Sequence, residues 1–281
     1  MPHLHLTQDS AALLAVILGA VAVVLHLVRG RRRWLPFAAA ATRETAIVLA
    51  LFALWQLAGS LALTKVTGAF DRAREIVAVE RWLHIPSEVW VQHLVLPHPD
   101  LVRTLNVFYL YVHINSIVIF LVWLFLRHRD AYPWARDTLV LVTGSCLLVQ
   151  MFPVAPPRML QGYGFVDTAL VYHQSIYGPF GSGIADQLSA MPSVHVAWAL
   201  LIAFVVLRVS PSRWRWLVLA HPVATVLAVV ATANHFWMDG IVAAAILALA
   251  VPVTLAIDRR RQARREPVLA APRPLEEPVE V

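Results

Sequence analysis

Charge is what this sequence has least of. Asp, Glu, Lys and Arg make up 14% of its 281 residues against 59% that are hydrophobic, and the mean hydropathy is +0.66. So few charged groups cannot cover the surface of a water-soluble chain with that much apolar area, which excludes an ordinary soluble domain. Cysteine is nearly absent as well. The single Cys146 sits inside an apolar run, so neither a disulfide framework nor a thiolate-rich metal site is open to the chain, and a small packing residue is the expected role. The first apolar run lacks the positive flank of a secretory signal: "MPHLHLTQDS" precedes it and "RGRRR" follows it, so a retained span is expected. No internal repeat is visible. The net charge of +6 is gathered in particular loops rather than spread over one face, which argues against a nucleic-acid partner.

What the sequence does have is long apolar runs. A helix needs roughly 20 apolar residues to cross a hydrocarbon core of ~30 Å. Seven windows approach that, near 11–29, 46–66, 104–126, 137–155, 192–209, 214–233 and 236–257. Arginines cluster in alternate loops: Arg29 and Arg31 to Arg33, then Arg127, Arg129 and Arg136, then Arg208, Arg213 and Arg215, then Arg259 to Arg261 with Arg264 and Arg265. The positive-inside rule places these loops in the cytoplasm and the others, 67–103, 156–191 and the turn around His235, outside. The reading is an all-α polytopic membrane bundle of about seven spans. Residues 1–45 form an extra span and a basic loop, 46–257 a membrane domain, and 258–281, rich in Pro and Glu, a disordered cytoplasmic tail.

Residues 69–96 are amphipathic rather than spanning. Ile76, Val79, Trp82 and Leu83 recur at helical spacing among Arg72, Arg74, Glu75, Glu80 and Arg81. This predicts a helix in the membrane interface, either a linker that seats the bundle or a lid or lipid-headgroup contact, with a second helix restarting at "HIPSE" and Ser87 or the residues beside Pro86 as cap.

Three short stretches at the outer ends of spans carry polar groups. In "NHFWMDG", His235 and Asp239 are four apart on one helix face, and a carboxylate near a bilayer is costly unless it is paired or wet. Such a pair orients the ring through Nδ1–H and frees Nε2, although the spacing alone is weak. In "MPSVHVAW", Pro192 suits a first helical turn whose free N–H groups form an anion site. Ser193 and His195 there are either a cap and an interface residue or a ligand and a proton donor. In "FPVAPPRML", Arg158 follows a span on the outer side, where a snorkelling arginine is disfavoured. Together they place a cation, an anion-binding helix start and two histidines, one with a carboxylate, at one level. That set suits phosphoryl transfer by histidine.

On "PSVH" and "HFWMD", taken in order at span ends, the chain resembles the type 2 phosphatidic acid phosphatase superfamily over roughly residues 70–257, with a six-helix core. It is most similar to the inositol phosphorylceramide synthase branch and its actinobacterial relatives. The resemblance implies His235 as nucleophile, Asp239 as its orienter, His195 as general acid, and Ser193 and Arg158 as phosphate ligands. The broad family's first-motif lysine falls on Met151, its third-motif Ser-Arg pair on Ala228 and Val229, and a glycine on Val194. The absent cations fit the synthase-like branch better. Arg72, Arg74, Arg81 or His173 are candidate substitutes, and Tyr109 and His113, four apart in "YLYVH", are either further site residues or structural.

The resemblance implies a phospholipid or polyprenyl-phosphate substrate and an integral plasma-membrane enzyme with its site on the extracytoplasmic face and its C-terminus in the cytoplasm. No cofactor and no metal is expected, because the remaining histidines, including the weak His93/His98 pair, lack carboxylate-supported ligand spacing. The rival from another class is a non-catalytic lipid-binding or scaffolding protein of the same fold. A transporter has little support, since paired mid-depth charges and inverted repeats are lacking. The loop 159–189, with Gly-Ser-Gly at 181–183, is expected to shape a headgroup pocket.

Overall fold

The computed structural model describes residues 8–28, 34–62, 67–174 and 188–270. Arg29, Arg31 to Arg33, the Gly181–Gly183 run and residues 271–281 therefore lie outside the described residues. Among the described residues eleven α-helices follow in order: α1 Gln8–Leu27, α2 Leu35–Ala62, α3 Ala69–Trp82, α4 Glu88–Val95, α5 Pro99–Val107, α6 His113–Arg127, α7 Tyr132–Gln150, α8 Thr168–Val171, α9 Val194–Val209, α10 Ala220–Ala231 and α11 Trp237–Ala270. Strand-like pairing among the described residues is confined to one parallel bridge between Val154 and Ser189. The protein is an all-α membrane bundle, as its apolar windows predict.

Each of the seven windows holds helix. Against the seven spans expected, four stretches among the described residues are long and apolar enough to cross a membrane: Asp9–Leu27, Leu35–Leu54, Arg213–Ala231 and Trp237–Arg264. A fifth is the pair Pro99–Val112 and Asn115–Arg127 if its 43° bend is taken within one span. The bend follows a π-helical turn, Phe108–Val112, between α5 and α6. π turns of this kind insert a residue and re-aim side chains, often at functional sites. Outward-facing Val16, Ile119 and Leu249 are 71%, 68% and 73% exposed, a surface that acyl chains solvate and water does not.

Several boundaries differ from expectation. The second helix begins at Leu35, not near 46, so Arg43 and Glu44 lie within it. Glu44 is buried because Arg136 of α7 reaches it, Arg43 adds a second contact at 2.7 Å, and Asp137 joins Arg136 at 2.8 Å and Arg261 at 2.5 Å. Paired charges are tolerated where lone ones are not. The fourth helix, α7, runs 132–150 rather than 137–155, since Val154 leaves it to pair with the segment before α9. Helix α11 continues through 258–270, where a disordered tail was expected. Its Arg261 is held by Asp137 and Gln262 by Asp258 at 2.7 Å.

Helix α3 packs the opposite way from its apolar stripe. Its inward face is Ala69, Ala73, Val77 and Glu80, whereas Val79 and Trp82 are 41% and 76% exposed. Small residues let its backbone approach the bundle, where Ala155 N donates to Ala69 O at 3.1 Å. Of the larger stripe, Val79, Trp82 and Leu83 face away from the bundle, while Ile76 packs partly against it. Ser87 is the N-cap residue of α4, as read from the sequence, although its side chain makes no cap hydrogen bond.

The Glu44 network makes a direct prediction. Glu44→Ala should lower stability by about 2 kcal/mol, less than the ~3–5 kcal/mol for a wholly orphaned buried charge, because Asp137 still holds Arg136. Arg74→Ala, whose pair with Asp71 lies in solvent, should move the melting midpoint in detergent micelles little. Equal shifts in the two variants would contradict the burial argument.

Candidate active site

The turn between α10 and α11 is built to present His235. Ala233 takes a left-handed conformation, φ 53°, and Asn234 N and His235 N both return to Val229 O at 2.9 and 3.1 Å. A left-handed alanine is strained, a state that persists where surrounding contacts enforce it. Here the enforcing contact is Arg158, whose backbone N donates to Ala233 O at 2.9 Å. Its Nη1 donates to Asn234 Oδ1 at 2.8 Å, and Asp167 lies 3.6 Å from its Nε. Asn234 is itself held by donating to Thr232 Oγ1 at 2.7 Å.

His235 is 5% exposed. Its Nδ1 lies 2.7 Å from Ala190 O and 3.2 Å from Asp239 Oδ2. A backbone carbonyl can only accept, so Nδ1 carries the hydrogen and Nε2 keeps its lone pair. Burial pushes the imidazole down to about 4, with the charge on Arg158 acting in the same direction and the Ala190 carbonyl opposing. The ring is therefore neutral at physiological pH. Asp239, fully buried, accepts from Phe236 N at 2.9 Å through the same Oδ2, and its carbonyl accepts from Ser193 N at 3.1 Å.

The segment supplying Ala190 is tied down in turn. Ala190 N donates to Val154 O at 3.2 Å, Val154 N to Leu188 O at 2.7 Å, and Gln150 Nε2 to Pro192 O at 3.1 Å. Pro192 follows a cis peptide bond and precedes the cap rather than opening the helix as expected. Ser193 is the cap residue, its Oγ accepting from Val196 N at 3.4 Å. Serine at that position satisfies an otherwise orphaned donor, which leaves no need for proline inside the first turn. His195 follows in that first turn of α9, its ring centroid 5.6 Å from that of His235. Arg158, Ser193, His195, His235 and Asp239, distant in sequence, thus meet at the junction of the α7 exit, the α9 start and the α10–α11 turn.

A family model of the PAP2 superfamily matches residues 74–253, more than half of the chain. The chain belongs to the PAP2 superfamily. No curated protein and no solved structure matches it. Membership supports a lipid phosphatase or phosphotransferase type of function. The match runs from within α3 to the middle of α11 and leaves α1 and α2 outside it.

The three arginines among the candidate substitute cations of this PAP2 protein are engaged elsewhere. Arg72 donates to Pro153 O at 2.7 Å and Thr67 O at 3.1 Å, Arg74 pairs with Asp71, and Arg81 lies over the Tyr163 ring at 5.7 Å. His173 ends the short α8 segment in a left-handed turn, φ 53°. Val229 and Ala228, in place of the family's Ser-Arg pair, are buried in α10. Among the described residues no three His, Cys, Asp or Glu side chains gather as metal ligands.

Other site residues were not legible in advance. The Ala190 carbonyl is a backbone group that no residue type announces. Asn234 had a signal, since it precedes the histidine directly. Glu80 reads as the wet side of an amphipathic segment and Glu88 carried no reading, yet both are 4% exposed. Glu88 Oε1 accepts from Trp237 N at 3.1 Å and Glu80 Oε1 from Met238 N at 2.7 Å. With Asp239 on Phe236 N, three carboxyl groups take three successive N–H groups at the start of α11, which suits the positive end of its dipole. The described part of the loop after Arg158 is clipped to α4 and α5. Gln92 exchanges two hydrogen bonds with Val166, each 2.9 Å, and Asn106 Nδ2 donates to Gln174 Oε1 at 2.9 Å. Beside the site a groove of about 310 Å³, lined by Val79, Val149, Phe152, Met191 and Met238 among others, separates α3 from the end of α7.

Glu80 also sets a pH dependence. Burial first, then the hydrogen bond and charge of Glu88, push it from 4.5 up to about 9. Between those values the folded chain holds a proton the unfolded chain has released, so stability falls as pH rises. Glu80→Gln should flatten that slope: its melting midpoint in micelles should drop less than that of the unaltered protein between about pH 5 and about pH 9. Parallel slopes would show that Glu80 is not the responsible acid.

Proposed function

We propose that this protein is a membrane phosphotransferase or phosphatase that works through a phosphohistidine on His235. The observation carrying the reading is the Ala190 carbonyl at 2.7 Å from Nδ1, which fixes the tautomer with a nucleophilic Nε2. Nε2 attacks phosphorus of a lipid-linked phosphate or phosphodiester, the P–O bond to the leaving group breaks, and His195 gives its proton to the departing oxygen. Neutral His195 then takes a proton from water or an alcohol, whose oxygen attacks the phosphohistidine, and the P–N bond breaks to restore His235. Arg158, Ser193 and the first turn of α9 neutralise the phosphate oxygens. Asp239 holds the ring and stabilises its positive charge in the transition state.

The apolar groove ending at Met191 and Met238, neighbours of Pro192 and Asp239, suits an acyl or polyprenyl chain. The arginine-bearing loops favour an extracytoplasmic site in the plasma membrane. Replacement of the broad family's lysine and Ser-Arg pair by Met151, Ala228 and Val229 favours transfer to an alcohol, with inositol phosphate as one transferable group.

The test is a panel of phosphatidic acid, polyprenyl phosphate and phosphatidylinositol in mixed micelles. The unaltered protein should release phosphate or transfer a headgroup and carry an acid-labile, base-stable phosphoryl label. His235→Ala should lose both, and Asp239→Asn should lose on the order of 10³-fold in kcat. Vanadate should inhibit and EDTA should not. Activity surviving His235→Ala and His195→Ala alike would leave the non-catalytic lipid-binding reading. Because His235 stays neutral down to about 4, the acidic limb of kcat/KM belonging to it should lie well below the usual histidine range.

A further inference from the structure

His235 and His195 are held in different ways. The ring of His235 is fixed by hydrogen bonds from Nδ1. His195 Nδ1 is buried and has no hydrogen-bond partner among the described residues, so no acceptor sets its ring angle. The terminal torsion of histidine has broad preferences, and an imidazole without such a partner turns readily unless packing stops it.

Packing does stop it. The His195 ring is stacked on Tyr109 at 4.3 Å between centroids and 26° between planes, and lies 4.3 Å from His113 at 41°. His113, 4% exposed, is stacked in turn on Trp198 at 5.0 Å and 12°. Trp198 is anchored by its Nε1, which donates to Thr143 Oγ1 of α7 at 2.9 Å. The four rings interleave from the two sides of the site: Tyr109 lies within the π turn and His113 follows it directly, while His195 and Trp198 are three apart on α9. His113 Nδ1 likewise has no partner among the described residues, so its contribution to the column is a flat face rather than a hydrogen bond.

We propose that Tyr109 and His113, backed by Trp198, are positioning residues that clamp the His195 ring by stacking so that it keeps its approach to the atom that His235 attacks. This rests on the reading of His195 as the general acid. A displacement on the order of 1 Å at such a group costs on the order of 10²-fold in rate, which stacking can prevent without touching substrate.

The experiment uses the full chain in detergent micelles, labelled with ¹⁵N-histidine and with the His195 signals assigned by His195→Gln. The unaltered protein should show one sharp His195 ring signal. His113→Phe, which keeps a flat ring, should preserve it, and hydrolysis of phosphatidic acid should stay within about threefold. His113→Leu, of similar volume but not flat, should broaden or split the His195 signal and lower kcat on the order of 10²-fold with KM little changed. If His113→Leu fails to fold, Trp198→Leu with Tyr109→Leu repeats the comparison. The proposal is overturned if the His195 signal stays sharp in the leucine variants, or if His113→Phe is as damaged as His113→Leu, which would assign the role to the nitrogens of His113. Failure of the functional reading is separate: the unaltered protein would then form no phosphohistidine, while the ring signals still report whether the clamp exists.

Discussion

Nδ1 of His235 donates to the carbonyl of Ala190, and the rest of the site is arranged around keeping that oxygen where it is. A side-chain acceptor alone would be a weaker constraint, because Asp239 sits farther off at 3.2 Å and shares its Oδ2 with Phe236 N. Ala190 belongs to an irregular segment, and irregular backbone within a membrane bundle persists only where its polar groups are satisfied by protein. Here Val154 and Gln150 satisfy them from the end of α7. The same pairing makes α7 stop early, so a helix boundary and a histidine tautomer have one cause.

The opposite side of the turn is held by Arg158 and two buried acids. Arg158 sits on Ala233 and Asn234 through a backbone and a side-chain bond, which stabilises a left-handed alanine that would otherwise relax. Glu80 and Glu88 reach the next two N–H groups from α3 and α4. An interfacial helix pair that only seated the bundle would not need buried acids. Their burial follows from their partners, since the first N–H groups of α11 have no acceptor within their own helix. The interface segment and the candidate nucleophile are therefore one mechanical unit.

How much of this the sequence announced depends on which atoms carry the interaction. Apolar windows locate helices well because hydrocarbon solvation acts on every residue of a span, and all seven hold helix. Ends were misplaced where pairing overrides composition: Arg43 and Glu44 look like a loop until Arg136 is seen beside them, and 258–270 looks disordered until Arg261 meets Asp137. The α3 stripe inverted because periodicity marks an apolar face without saying whether protein or lipid covers it. The HxxxD spacing put His235 and Asp239 on one face, and outer-side placement joined them to Arg158, Ser193 and His195. The Ala190 carbonyl, by contrast, has no side chain to read.

The two histidines differ because a membrane site has two ways of ordering a ring. Hydrogen bonds to buried acceptors fix a tautomer but leave any unmatched atom to incur the full desolvation penalty, as at Asp239 Oδ1, which has no partner among the described residues. Stacking fixes a plane while leaving both nitrogens uncommitted. A proposed nucleophile has to keep a single tautomer, whereas a proposed general acid has to lose and regain a proton within one cycle. A rigid acceptor at Nδ1 would bias that exchange, and flat neighbours do not. The π turn fits this division, since it contains Tyr109 and ends at the residue before His113, the two residues that face the His195 ring, and the bend follows directly after it.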